Sequence, residues 1–263
     1  MVRCTDSRCL LRRLLPVLVF FVAAPTLAAS VPPAHVATYE VSRNGKLTGE
    51  MEQRFEAADG RWQMSSSTRG TRGVARLLGI DANDRAQGVV RDGAARPGQF
   101  EHQASVPGRD QEWSAEFDAS GQQVTVQFAD GEQTLALPGQ AWDPLGVQMA
   151  LRDAARGGRG EWTVHVVDED EVEVHRYRTG TAERVDTPLG CFEAVPVERV
   201  REQSTRYTRV WLAPALDWLP VRFEHGKTDG SHTDARLQSL QRTGQAFSGQ
   251  AHCEGGLSAA SNH

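Results

Sequence analysis

Few residues of this chain combine a reactive side chain with a spacing that chemistry requires. His165 and His175 fall on the two arms of one predicted β-hairpin, where they could face each other as a metal-binding or acid-base pair. Two histidines alone make a poor zinc site, and neither lies in an H-E-x-x-H motif. The sequence therefore favours ordinary solvent-facing strand histidines, and we predict no metal site.

Nucleophilic, calcium-binding and phosphate-binding patterns are also missing from the sequence. No G-x-S-x-G motif is present, and the serines at 65–67 have no context that marks a nucleophile. The acidic stretch at 168–171 lacks the ligand spacing of a calcium loop and is typical of a solvated hairpin tip. No glycine-rich stretch follows a strand and opens a helix, as phosphate cradling requires. We therefore predict a protein without catalytic residues or cofactors, and not an enzyme.

Aromatic side chains are the remaining candidates for a binding site. Most of the six tryptophans fall on predicted strands and are expected in the core. A curved sheet covered by a single helix can still leave an apolar pocket, which is a common ligand site at the mouth of a barrel. Trp142 and Trp218 lie at predicted turns, where such a mouth would form, and Ala150 and Ala154 lie on the predicted helix. We predict these four residues as the ligand-binding set.

The elements that must position these residues follow a predicted export signal. Residues 1–28 contain arginines, an apolar run and small residues, which together predict a cleaved secretory signal peptide. The apolar run is too short for the roughly 20 residues of a membrane span, and no cysteine follows closely to carry a lipid. We expect a monomeric periplasmic protein that has no transmembrane span after cleavage.

Charge and cysteine content narrow the class of protein further. Cleavage removes four arginines and one aspartate, so the formal net charge changes from -5 to -8. Nucleic acid is therefore not expected as a partner, because affinity for phosphate backbones comes mainly from clustered Lys and Arg. An oxidising compartment permits a disulfide between the remaining Cys191 and Cys253, whereas the polar surroundings of Cys253 argue against one. The pairing stays open.

Most of the mature chain alternates short strand patterns with turn signals. Asn-Gly at 44–45 and Asp-Gly at 59–60 and 92–93 separate alternating segments, and such pairs favour type I′ hairpin turns. About a dozen strands and one helix predict a mainly all-β protein, either an antiparallel barrel or a strongly curved half-open sheet. We predict one β-rich domain over 35–242 and a disordered tail over 243–263.

One segment breaks this rhythm and predicts the packed α-helix. Asp143 as the N-cap, a proline after it and a Gly-Gly stop at 157–158 bracket a good helix-forming run, which predicts a helix over 143–156. Its apolar residues share one face that should pack on the sheet; they are Val147, Ala150, Leu151 and Ala154. A shorter connector at 73–79 could form another helical turn or cover the edge of the sheet.

Two longer stretches and the W-D-P-L start of the helix carry a family resemblance. The stretches are VATYEVSRNGKLTGE near the start, and VDTPLGCFEAVPVERVR followed by RVWLAPALDWLPVRFEH near the end. They resemble the exported bacterial family called domain of unknown function 3108 over most of residues 36–240. The last motif predicts a strand, a tight turn with Asp217 and Pro220, and a returning strand. The family usually has a charged or polar residue where this chain has Cys191, so the resemblance implies no role for that thiol.

The same C-terminal hairpin is similar in outline to one in the lipoprotein carriers LolA and LolB. Those carriers are half-open barrels around a helix and bind acyl chains. The similarity implies a shared architecture, which does not by itself establish a shared function.

These patterns lead to two expectations for function. The first is a non-enzymatic periplasmic protein that binds an apolar or amphipathic component of the cell envelope, lipid or lipoprotein-like, between sheet and helix. The alternative is an interaction module that docks another envelope protein through a sheet edge or an aromatic patch. An open apolar cavity would favour ligand binding, a filled interior would favour docking, and converging polar groups in a cleft would favour catalysis.

Overall fold

The structure, a computed structural model, describes residues 31–106, 109–228, 230–247, 251 and 253. The strands of the first half are β1 His35–Arg43, β2 Lys46–Ala58, β3 Arg61–Gly70, β4 Asp81–Arg91, β5 Ala94–Val106, β6 Arg109–Phe117, β7 Gln123–Phe128, β8 Gly131–Ala136 and β9 Ala141–Trp142. Those of the second half are β10 Glu161–Asp168, β11 Glu171–Thr179, β12 Glu183–Thr187, β13 Gly190–Val200, β14 Arg206–Ala213, β15 Leu219–Lys227, β16 His232–Arg242 and β17 Gln245–Ala246. The helices are α1 Gly73–Leu77 and α2 Val147–Arg156, with a 3-10 turn at Pro214–Leu216.

Tight hairpin turns start the sheet, as the sequence predicts. Asn44 and Gly45 have φ angles of 50° and 75°, and Asp59 and Gly60 have φ angles of 52° and 71°. Both central residues of a type I′ turn need this left-handed conformation, which Asn, Asp and Gly adopt most readily. These turns place β1, β2 and β3 side by side as antiparallel neighbours.

The strands form one continuous sheet that is mostly antiparallel and does not close. β1 lies between β2 and β16. Pairing runs from β2 to β8 on one side. On the other side it runs from β16 through β15, β14 and β13 to β11 and β10. The short strand β9 then pairs with β10 in parallel, so β8 and β9 end this series of strands, while β12 adds to β13 and β17 adds to β16. The prediction of a curved half-open antiparallel sheet is confirmed.

Helix α2 lies inside the curve of this sheet. Every one of its residues is buried or half-buried, including the predicted packing residues Val147, Leu151 and Ala154. One core cluster packs the helix against strands from both halves of the sheet, with Phe55 of β2 and Val210 of β14 among its members. The sheet must therefore curl around the helix, and the prediction of one packed helix is confirmed.

The helix begins four residues later than the sequence predicted. Oδ1 of Asp143 accepts hydrogen bonds from the backbone N–H groups of Leu145, at 3.0 Å, and Gly146, at 2.6 Å. The Asp143 carbonyl accepts the N–H of Val147 at 3.0 Å. The residue thus caps a separate turn that leads into the helix, because its side chain satisfies N–H groups that would otherwise lack a partner.

The C-terminal motif builds a rigid corner next to the helix. Asp217 is left-handed with φ 54°, and its carbonyl accepts a hydrogen bond from Nε of the buried Arg152 at 2.9 Å. Its carboxylate pairs with Nη1 of Arg242 at 2.7 Å. The hydroxyl of Tyr39 donates to the carbonyl of Pro220 at 2.9 Å. The turn is therefore present as predicted. Its hydrogen bonds show that Asp217 and Pro220 have a structural role, which is to hold this corner against the helix and the neighbouring strands.

Part of the segment predicted as a disordered tail has a defined place in the structure. β17 pairs with β16, and a disulfide joins Cys191 to Cys253. The backbone N–H of Cys191 also donates to the carbonyl of Ala251 at 3.1 Å. Residues 248–250, 252 and 254–263 of that segment, and the predicted signal peptide at 1–28, lie outside the described residues. Within the described part of the chain, neither helix is long and apolar enough to cross a membrane.

Candidate functional site

The concave side of the sheet holds an open cleft of about 590 Å³ beside the turn that precedes α2. Its apolar lining consists of Val41, Met51, Pro144, Leu145, Phe223 and Ala235. Its polar lining consists of Gln53, Ser66, Thr68, Asp84, Gln148, Thr208, Glu224, His225 and Thr233. Small-molecule sites in proteins commonly measure roughly 300–1,000 Å³, so the cleft is large enough for a ligand.

Strand register explains why these side chains meet. Residues directly opposite each other on antiparallel strands point to the same face of the sheet. Phe223 is paired with Ala235, which is in turn paired with Val41 on β1. On the other side of β1, Met51 is paired with Thr68. One face of the curved sheet therefore supplies the wall, and the turn before α2 closes its base.

A network of charged and polar side chains continues along the inner face from the apolar wall. Glu173, His175 and Tyr177 alternate along β11 and so share this face. Nε2 of His175 lies 2.6 Å from a carboxylate oxygen of Glu173, and Nη2 of Arg199 donates to the same oxygen at 2.7 Å. Nδ1 of His175 lies 3.3 Å from the Tyr177 hydroxyl. We call the following residues the interior polar cluster: Glu173, His175, Tyr177, Arg199, Arg201, Thr208 and His225.

Burial and neighbouring charges set the protonation of this network. Burial lowers the pKa of His175, and Arg199 and Arg201 lower it further, although Glu173 opposes them. Burial alone would raise the pKa of Glu173, but the hydrogen bonds from His175 and Arg199 outweigh it and lower that pKa. The carboxylate of Glu173 is therefore held in its ionised form by its two donors.

The second half of the cluster runs from Arg201 through Thr208 to His225. Nη1 of Arg201 donates to the Thr208 hydroxyl oxygen at 3.2 Å, and that oxygen lies 3.0 Å from Nδ1 of His225. Because arginine only donates, the Thr208 hydroxyl oxygen accepts from Arg201, and the same hydroxyl either donates to Nδ1 of His225 or accepts from it, according to the tautomer of the ring. Burial lowers the pKa of His225, and Arg201, Arg206 and Arg199 lower it further, which favours the neutral imidazole.

A separate ion pair lies at the cleft between β4 and β5. Oδ1 of Asp84 is 2.6 Å from Nδ1 of His102, and this hydrogen bond is the main reason that the pKa of His102 is raised. Asp168 and Glu169, at the tip of the β10–β11 hairpin, raise the same pKa. The acidic tip therefore acts electrostatically on this histidine of β5.

Asp143 is fully buried where the cleft meets the helix. Burial raises its pKa to about 7, although the N–H groups of Gly146 and Leu145 oppose the shift, and Asp84 adds to it. Its second oxygen, Oδ2, has no hydrogen-bond partner among the described residues. A carboxyl group in this position is stabilised in its protonated form, because a buried charge without full compensation is costly.

The four residues predicted as ligand contacts lie elsewhere in the structure. Trp142 is buried with its ring centroid 6.5 Å from that of Trp62. Trp218 lines a separate cavity of about 30 Å³, which is too small for more than a water-sized guest. Ala150 and Ala154 belong to the core around α2. None of the four lines the cleft of 590 Å³, and their role as ligand contacts stays a prediction.

The histidines also differ from the expectation. His165 is paired with Val174 in the β10–β11 ladder, whereas His175 is paired with Val164. Neighbouring residues of a strand point to opposite faces, so the two histidines cannot face each other. His175 is buried on the inner face, and the interpretation of both as solvent-facing residues was wrong for it. The acidic stretch at 168–171 does form an exposed hairpin tip, as predicted.

Sequence reasoning missed the interior polar cluster. Arg199 and Arg201 stand in the charged run at the end of β13, with Glu198 and Glu202 beside them, and such a run is typical of a solvent-facing strand end. The signal that could have found them is Val197, which alternates with both arginines and lies in the core. When the core-facing side chains of a strand change from apolar to charged toward one end, the interior of the protein is expected to be polar at that end.

The half-open sheet around one helix, with an internal cleft, defines a β-barrel-like class of protein. Within this class the chain belongs to the family described as "Protein of unknown function (DUF3108)", whose model matches residues 38–237. This confirms the resemblance seen in the sequence. No protein with a curated description matches the chain.

Three solved structures are similar to the chain at low sequence identity. A β-barrel-like protein of domain of unknown function DUF1849 from Brucella abortus is 14% identical with a TM-score of 0.55, over 82% of this chain and 100% of that one. A Bacteroides fragilis protein described as exported with a YmcC-like fold is 13% identical with a TM-score of 0.35, over 82% and 100%. A Parabacteroides distasonis protein described as a lipoprotein is 12% identical with a TM-score of 0.33, over 81% and 98%. At these identities the first match shows a shared fold and nothing more.

Proposed function

We propose that this protein binds an apolar or amphipathic component of the cell envelope, of the lipid or lipoprotein type, in the cleft between sheet and helix. The observation that carries the proposal is the open cleft of about 590 Å³ with an apolar wall. Burying an acyl chain against such a wall is favourable by roughly 25 cal/mol per Å² of apolar surface.

The distribution of polarity in the cleft supports an amphipathic ligand. Met51, Leu145 and Phe223 supply apolar surface, whereas Thr208 and His225 supply hydrogen-bonding groups toward the interior polar cluster. Ligand sites are commonly apolar with a few polar groups that fix the orientation of the ligand. A molecule with one apolar chain and one polar end matches both parts of the lining.

The contacts within the polar cluster support binding without catalysis. Both ring nitrogens of His175 have partners, in Glu173 and Tyr177. Glu173 is held ionised by two donors, and its lowered pKa makes it a weak proton acceptor. Side chains that are fixed in this way are suited to hold a ligand in place, and less suited to exchange protons with it.

The disulfide supports the periplasmic location that forms part of the proposal. Disulfides persist in oxidising compartments and are rare where thiols are kept reduced. The bond between Cys191 and Cys253 is therefore consistent with the predicted signal peptide.

One observation favours the second candidate function, the docking of another envelope protein. Helix α1 and the residue after it expose Val74 by 68%, Leu77 by 83% and Leu78 by 46%. Exposed clusters of large apolar side chains often mark interaction surfaces. The cluster follows β3, and the N–H of Thr71 just before α1 bonds to the carbonyl of Thr48, so it lies near the start of β2.

Binding of an environment-sensitive fluorescent fatty acid to delipidated protein tests the first proposal. We expect saturable binding that weakens at least about tenfold in Ala235→Phe and Thr233→Trp, because both substitutions add bulk to the cleft wall. Ala136→Trp, which adds a ring on the exposed edge strand β8, is the matched control and should bind normally. Folded protein that shows no saturable binding would overturn the cleft proposal in favour of docking.

A further inference from the structure

We propose that the polar end of the cleft is an anion-binding site centred on Arg201, which takes the carboxylate or phosphate headgroup of an amphiphile whose chain lies along the apolar wall. This inference rests on the proposed function and adds the charge and the orientation of the ligand.

Arg201 is one hydrogen bond away from the lining of the cleft, through the lining residue Thr208, and it has no ionic partner among the described residues. Three carboxylates around the cleft are each within ion-pair distance of a cation; the pairs are Asp84 with His102 at 2.6 Å, Glu173 with Arg199 at 2.7 Å, and Glu224 with Arg222 at 3.5 Å. Arg201 donates to the neutral hydroxyl of Thr208 at 3.2 Å and forms no ion pair among the described residues. Its positive charge therefore has no carboxylate at ion-pair distance, and Glu173, which is already paired with Arg199, acts on it only from further away.

The position of Arg201 makes this charge available to a ligand. The side chain is half-buried, so it has lost part of its hydration, and burial and the neighbouring Arg199 both lower its pKa. A guanidinium nevertheless stays charged at any pH at which the protein is folded. A partly desolvated cation without a counter-ion gains more from an incoming anion than a fully hydrated one does.

Neighbouring groups add donors of the right kind. His225 lines the cleft, and in the tautomer whose Nδ1 accepts the Thr208 proton, its Nε2–H is a donor for an anion. Arg199 and Arg206 both act on the charge state of His225, so positive potential accumulates at this point. Arginine presents two parallel N–H donors that match the two oxygens of a carboxylate or a phosphate.

The same strand joins the anion site to the apolar wall. His225 lies two residues after Phe223 on β15, on the same face, and both line the cleft. Two residues along a strand span about 7 Å. A headgroup at Arg201 and His225 therefore leaves an attached chain directly on Phe223 and Ala235.

A dansyl-labelled fatty acid and its uncharged methyl ester separate the headgroup from the chain. We expect wild-type protein to bind the acid about tenfold more tightly than the ester, and Arg201→Gln to lose about tenfold for the acid with little change for the ester. Arg209→Gln is the matched control, because Arg209 follows Thr208 on β14 but faces the opposite side, where it pairs with Glu198. This control variant removes the same charge and should not change the affinity for the acid or for the ester. In wild-type protein, added salt should weaken binding of the acid and spare the ester, a readout that needs no variant.

The outcomes distinguish this inference from the proposed function. If both probes bind wild-type protein equally, and Arg201→Gln and salt change neither, the anion site is overturned while the apolar cleft stands. If neither probe binds, the proposed function fails.

A competition experiment tests whether the site needs the chain of the ligand. Inorganic phosphate, acetate and unlabelled palmitate are each titrated as competitors of the bound acid probe. We expect the chain-free anions to displace the acid probe only at concentrations at least about a hundredfold above those of palmitate, because they gain nothing from the apolar wall. Displacement by phosphate at equal concentrations would show a site for a free anion and overturn the amphiphile.

Discussion

Oδ1 of Asp84 lies 2.6 Å from Nδ1 of His102 on the neighbouring strand β5, at the edge of the cleft. The hydrogen bond raises the pKa of His102 and outweighs burial, which would lower it. A histidine whose folded-state pKa is raised contributes stability that is fully present below its unfolded pKa of roughly 6.5 and is lost as pH rises through the folded value. The pair therefore couples the charge of the cleft edge to pH near neutrality.

Asp84→Asn should lower the pKa of His102, because the variant removes both the charged hydrogen-bond partner and its negative potential. NMR titration of the histidine ring protons measures this directly. His225 serves as an internal control, since its pKa is set by burial and by arginines. A His102 titration that does not move would show that the ion pair is absent in solution.

Asp143→Asn should change how the free energy of unfolding depends on pH. The folded-state pKa of Asp143 is about 7, well above its ordinary value near 3.8, so the folded protein keeps a proton that the unfolded chain has lost between these values. The wild-type protein therefore loses stability as pH rises from about 4 to about 7, by at most about 4 kcal/mol from this group. The variant cannot ionise, and its stability relative to wild type should increase across that window in urea unfolding experiments.

Asp118→Asn provides a control of opposite sign for this experiment. Hydrogen bonds from Ser120 and from the N–H of Gln123 lower the pKa of Asp118, which is exposed. Any stability that it contributes is present above its unfolded pKa and is lost as pH falls. A stability difference between Asp143→Asn and wild type that stays constant from pH 4 to 7 would mean that Asp143 is ionised in the folded protein.

The sequence could predict those features that depend on neighbouring residues. The turn at Asn44 and Gly45 is fixed by two residues with a strong left-handed preference, and the structure has it. The packing face of α2 follows from helical spacing, and Leu151 is buried as predicted. Both features arise from interactions within a few residues, which a single sequence displays directly.

Features that depend on the curl of the whole sheet could not be predicted in this way. A helix with one apolar face is expected to have a wet face, yet Arg152 is buried because the turn at Asp217 accepts its hydrogen bond from a distant part of the chain. In the same way Arg201 points inward because β14 brings Thr208 to it. The cleft is made by strands far apart in sequence, so its lining follows from register and not from local pattern.

Leu151→Asp should destabilise the protein by at least about 3 kcal/mol, because it removes a buried side chain from the centre of the helix core and places a charge there. Thermal and urea unfolding measure the loss. Leu77→Asp is the matched control, since Leu77 is 83% exposed on α1 and its replacement should change stability by less than about 0.5 kcal/mol. Equal stabilities of the two variants would place α2 outside the core.

Cys253→Ser should lower the free energy of unfolding by about 2–4 kcal/mol. The disulfide joins residues 62 positions apart and encloses the strands from β13 to β17, so it restricts the unfolded chain over a long loop. It also anchors the segment after β17, where the N–H of Cys253 donates to Asp186 at 3.3 Å. Urea unfolding without and with a reductant measures the effect. In reductant the free energies of unfolding of wild type and variant should become equal, because both proteins then lack the disulfide. If the variant is still less stable in reductant, the loss comes from the serine side chain and not from the missing disulfide.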